Sequence, residues 1–135
     1  MTFGSLEQFN KEIDDFAQRL VPEEVVKLQK KLVLEALQRI VKKTPVDTGR
    51  ARGNWQTTIG ESAEAALIAI DKNGGATIAK GLAAIAELPP YSIVWISNNV
   101  NYIEFLEAGS SKQAPSGMVS LTVEELRSMF EKEVA

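Results

Sequence analysis

The sequence contains neither histidine nor cysteine. Without cysteine there is no disulfide framework and no thiolate metal site. Without histidine the commonest general base and the commonest metal ligand are missing. A Ser–His–Asp triad, a Cys–His dyad and a His-ligated zinc site are therefore excluded within this chain. No apolar run approaches the roughly 18 residues of a membrane span. The start, MTFGSLEQFNKEIDD, lacks the basic residues and apolar stretch of a signal peptide, which leads to the expectation of a soluble intracellular product with no membrane contact. Net charge is also slight, at -3 with a pI near 5.1, which argues against whole-surface affinity for DNA but leaves room for a local basic patch.

What is present is ordinary for one globular domain. The 135 residues are 44% hydrophobic and 24% charged, enough for one core. Leu6, Phe9, Ile13, Phe16 and Leu20 follow helical spacing, with Ser5 and Gln8 in the pattern of a capping box. This first helix, within residues 1–20, can be semi-independent. Pro22 then suits the first position of a second helix, and Glu23 and Glu24 suit its positive end. Two apolar stripes run along it, Val25, Leu28, Leu32, Ala36 and Ile40 beside Val26, Val33, Leu37 and Val41. So wide a face predicts packing on two neighbours. Thr44-Pro45 ends the helix.

Further on, residues 55–59 alternate as a strand, and AALIAID (65–71) is a second strand candidate. Residues 77–88 have helical spacing up to Pro89-Pro90. SIVWIS (92–97) predicts a buried strand with Trp95 in the core. YIEFLEA (102–108) predicts a short helix closed by Gly109. A last amphipathic helix is expected over 117–134, with Val119, Val123, Leu126, Phe130 and Val134 on one stripe and Thr122 and Glu125 as a capping box for a later start. The expected fold is α+β, with long N-terminal helices and a C-terminal helix packed on a small, mainly antiparallel sheet in a single domain.

Few residues suggest chemistry. The segment KKTPVDTGRARGNW (42–55) has glycines but follows a helix and leads to a strand, and lacks the Lys-hydroxyl pair of a phosphate loop. The adjacent acids Asp14-Asp15 and Glu124-Glu125 diverge around a helix, and Glu104 with Glu107 shares a face as surface pairs commonly do. No constellation favours an enzyme, and no cofactor is implied. Lys27, Lys30, Lys31, Arg39, Lys42, Lys43, Arg50 and Arg52 form a basic stripe opposed only by Glu35 and Asp47, with Trp55 available for stacking. It reads either as a solvated helix face or as the contact of a small nucleic-acid-binding regulator. Tyr102 and Phe105 are either core or an aromatic anchor for a partner.

KKTPVDTGRARGNW, followed by ISNNVNYIEFLEAGSSKQAPSGMV and a C-terminal helix, resembles the small neck and tail-completion proteins of long-tailed double-stranded DNA phages, including the family of lambda's tail-completion protein Z. The matching residues are Thr44 to Gly49, then Asn98, Tyr102, Leu106, Glu107 and Gly109, then Gln113 to Val119. Relatives often carry Pro or Ala where this chain has Asn101, and an aromatic where it has Ala108. The resemblance spans about residues 21–130. It implies a structural virion protein at the head–tail junction, made in the bacterial host cytoplasm, neither enzyme nor cofactor carrier. It would form or complete a homo-oligomeric, hexameric ring that caps the tail or joins it to the connector, meeting connector and tail-tube proteins and, transiently, genomic DNA. Pro45, Asp47, Thr48, Gly49, Arg50, Arg52, Tyr102, Phe105, Glu107 and Gln113 would form the subunit or partner interface. Arg50 and Arg52 would face the neighbouring subunit or the DNA channel, or else the turn only orients the first strand. Pro45 and Gly49 set a rigid turn, in which Asp47, and more weakly Thr48, can bond the backbone at Gly49.

Overall fold

A computed structural model describes residues 4–109, 112–114 and 117–134, with side chains for 6–133 within them. Among these residues are six helices and a two-stranded antiparallel sheet, an α+β arrangement. No described helix is long and apolar enough to cross a membrane. The expected Ser5 cap and the Val134 end of the last stripe lie outside the described side chains, and much of the polar loop 110–116 lies outside the described residues.

Helix α2 (Pro22–Lys43) is the spine. Its two stripes pack on neighbours on both sides. Leu28, Leu32 and Ala36 face α1 (Gly4–Ala17) and the C-terminal helix, while Val33 packs with Ile85 and Leu88. Leu37, Ile40 and Val41 join Trp55, Ala114 and Met118 in the central cluster. The N-terminal helix is held to the C-terminal one by aromatic edges. The Phe9 and Phe16 rings lie 5.9 and 5.5 Å from Phe130, both edge-on, the arrangement favoured by ring quadrupoles. Arg127 Nη2 donates to Glu12 across the same seam at 2.8 Å.

Beyond Thr44 the chain makes a turn and then one helical turn, α3 (Arg50–Gly53), before strand β1 (Gln56–Ile59). The strand expected over 55–59 forms, and the short stretch before it is helical, because Gly49 in the left-handed region (φ 92°) starts a new helical turn. Strand β2 (Val94–Ser97) pairs with β1 in the register Gln56↔Ser97 to Ile59↔Val94. With only two strands, one face of the sheet stays open. Val94 and Ile96 point to the core, but Trp95 is 43% and Ile93 63% exposed. SIVWIS is therefore not a buried strand, and the core tryptophan is Trp55, at 6%. The strand expected over 65–71 does not form: this stretch is irregular and largely exposed, having no partner strand.

Helix α4 (Gly75–Ala84) starts two residues earlier and stops sooner than its apolar spacing suggests. Asp71 explains the start. Its carboxylate accepts from Gly74 N, Thr77 N and Thr77 Oγ1 at 2.7–3.1 Å and so caps the helix. Gly81 allows the helix to lie close on α2, since a Cβ there would come within 2.2 Å of Leu37 Cδ2. After β2, α5 (Ile103–Glu107) ends at Gly109, which has the expected positive φ of 88°. Helix α6 (Val119–Val134) follows. Thr122 is buried inside it and is not its cap, because the helix starts earlier.

Candidate functional site, a groove between the two motif blocks

Thr44 closes α2 by donating its hydroxyl to Ile40 O at 2.7 Å, and the same oxygen accepts Trp55 Nε1 at 2.8 Å. Pro45 then cannot continue the helix, and the chain turns outward through Val46, Asp47 and Thr48. Thr48 Oγ1 accepts the Arg50 N–H at 3.2 Å, so the local turn bond comes from Thr48 to residue 50 rather than from Asp47 to Gly49. Gly49 is required twice over. Its φ is left-handed, and a Cβ would lie 2.9 Å from Lys72 N.

The second block reaches back to this turn. Gln113 accepts the Val46 N–H at 2.9 Å and donates to the Val46 carbonyl at 3.2 Å, so its amide grips both backbone groups of one residue. Asn98 Nδ2 donates to Ala51 O at 2.8 Å. Between them opens a groove of about 440 Å³, lined by residues 45–51 on one side and Tyr102, Leu106 and Gln113 on the other. Of the ten expected interface residues, Pro45, Asp47, Thr48, Gly49, Arg50, Tyr102 and Gln113 meet there. Tyr102 and Leu106 lie four apart, on one face of α5 and its entry. Phe105 projects from the same helix and is 68% exposed, so it is no core residue.

Two expected interface residues have structural duties. Glu107 is buried, and its carboxylate accepts from the N–H groups of Met118, Val119 and Ser120 and from Ser120 Oγ at 2.7–3.1 Å. It caps α6 from across the loop, where orphan donors and the helix dipole favour a negative charge. Arg52 extends its guanidinium inward to the carbonyls of Lys72, Lys42 and Thr44 at 2.7–3.2 Å. It ties the turn to α2 and to the segment before α4. Arg50, by contrast, is exposed at the groove.

The basic stripe is divided in the same way. Lys43 and Arg39 both bind Glu125, Arg39 also binds Glu35, and Lys31 pairs with Glu133. The Lys43 hydrogen bond, with that of Arg39, outweighs burial and holds the Glu125 carboxyl below its usual range. Lys27, Lys42 and Arg50 stay exposed.

Three contributors were placed in no site by the sequence, Leu106 being named only for the resemblance. Asn54 is fully buried, donates to Arg50 O at 2.7 Å and accepts Leu67 N at 2.6 Å. Asp71 both caps α4 and donates its N–H to Gly49 O at 3.0 Å. Leu106 supplies apolar lining. The only hint in sequence was the turn composition around Asn54 and Asp71; the partners lie 13 to 22 residues away. No protein family, curated sequence or solved structure matches the chain.

Proposed function

We propose that the protein is a structural component of a phage head–tail junction, where copies form or complete a ring that caps the tail or joins it to the head connector. The observation that supports this reading is the grip of Gln113 on Val46, which brings the two blocks carrying the resemblance into one open groove. A groove lined by a turn and by Tyr102, with Phe105 exposed on the same helix, suits a projecting segment of a neighbouring subunit, connector or tail-tube protein. Phe105 serves as the anchor and Arg50 as the exposed charge at the rim. Of the two arginines expected to meet passing DNA, Arg50 is the exposed one, since Arg52 is spent on backbone carbonyls. The role needs shape and no bond chemistry.

The regulator reading draws less support, because much of the stripe from Lys27 to Arg52 is paired within the chain. Salt separates the two: DNA binding through phosphates weakens steeply with salt, whereas docking of apolar surfaces does not.

The decisive experiment is a nonsense mutation in the gene within its parent phage, with lysates viewed by electron microscopy. Filled heads and separate tails, joined into infectious particles by added purified protein, are the expected result. Normal particles in normal numbers would end this reading.

A further inference from the structure

The irregular stretch between β1 and α4 carries the most water-exposed large apolar side chains among the described residues. Ile68 is fully exposed, Ile70 is 72% exposed, and Leu67 is partly so. An apolar run of this kind on a surface marks a contact. Its backbone is anchored in an alternating way. The carbonyls of Ala63 and Ala65 accept from Asn99 Nδ2, and Ala65 also accepts from Gln56 Nε2. The N–H groups of Leu67 and Asp71 are donated to Asn54 and to Gly49 O. All are odd-numbered. The N–H and C=O groups of Ala66, Ile68 and Ile70 bond to no described residue. One edge is thus fastened to the body and the other presents unpaired strand groups.

We propose that this free edge pairs with the same stretch of a second copy, antiparallel about a two-fold axis through Ile68. The side chains complement each other in that register. Ile68 meets Ile68, and each Ile70 lies opposite the small Ala66. Exposed Glu64 lies opposite exposed Lys72, and no described group forms a salt bridge with either. Charge complementarity at both ends fixes the register, and Ala66, Ile68 and Ile70, whose backbone groups are free, are those that an antiparallel pair would bond, while the Lys72 carbonyl is already taken by Arg52. Pairing straightens the bends at Ala65 and Ile68 and supplies the partner strand that the 65–71 sequence calls for. A two-fold contact closes after two copies. It therefore describes the free protein, separately from the ring, and either can fail without the other.

Sedimentation velocity on the full chain tests it. A concentration-dependent dimer is expected. Ile68→Asp, at a fully exposed position, should abolish the dimer and leave the helical circular dichroism and the melting temperature equal to those of the wild type at concentrations where the wild type is monomeric. Glu64→Lys or Lys72→Glu should each weaken it by about tenfold, and the double exchange should restore it. Because the chain has no cysteine, Ile68→Cys should give a single disulfide-linked dimer on mild oxidation. A protein that stays monomeric up to about 1 mM, or a dimer indifferent to Ile68→Asp, would overturn the proposal.

Discussion

The indole N–H of Trp55 donates to the hydroxyl of Thr44 at 2.8 Å, and that hydroxyl in turn donates to Ile40 O. One buried oxygen therefore ends α2, seats the core tryptophan and sets where the following turn begins. Replacing Thr44 with Val keeps the volume but leaves the indole N–H unpaired. The expected cost is roughly 1–3 kcal/mol in urea unfolding followed by tryptophan fluorescence, and Thr44→Ser should recover most of it.

Gly49 is constrained by its φ of 92° and by the Lys72 backbone. Gly49→Val should destabilise the fold by about 1–3 kcal/mol and disturb the groove. A variant of unchanged stability and assembly would show that the turn does not need glycine.

Glu107 should behave as a stability residue and not as a contact residue. Glu107→Gln faces an amide toward the donors of residues 118–120, with an expected loss of about 2 kcal/mol. The check is thermal unfolding of the isolated protein, without any partner.

Arg50 and Arg52 should separate cleanly despite their spacing. Arg50→Ala should change stability by less than about 0.5 kcal/mol while lowering complementation of a mutant lysate. Arg52→Ala should destabilise by about 1 kcal/mol or more, because three carbonyls lose a charged donor. Equal effects on assembly with neither affecting stability would contradict the assignment.

Acid should unfold the protein in part through Asp71 and Glu125. Burial raises the Asp71 pKa, but hydrogen bonds from Thr77 and Gly74, with Arg52 nearby, outweigh it and leave it lowered; Glu125 is lowered by Lys43 and Arg39. Both carboxyls thus bind protons less readily folded than unfolded. Their stabilisation is complete above the usual carboxylate range and is lost as pH falls through their lowered folded values, so the decline should begin below about pH 4.5. Asp71→Asn with Glu125→Gln should flatten that decline in a pH series of melting temperatures.

Sequence periodicity determined the helices and their inward stripes, because burial along a helix repeats with the helix itself. The apolar positions of α1, α2 and α6 are the observed core, and Thr44-Pro45 and Gly109 mark real ends. The turn residues 45–50 and the pair Tyr102 and Gln113 were legible as one candidate surface, although nothing in the sequence says that they face each other. Tertiary structure decided the rest. Whether AALIAID is a strand depends on a neighbour to bond it, and whether Trp95 or Trp55 is buried depends on which face the helices cover. Whether Glu107 and Arg52 meet solvent or the backbone depends on helix ends and carbonyls brought close only by folding. Local preference acts over one or two turns of chain. The partners of these polar and aromatic side chains lie up to 35 residues away, as with Trp95 and Gly60 O, and only packing brings them together.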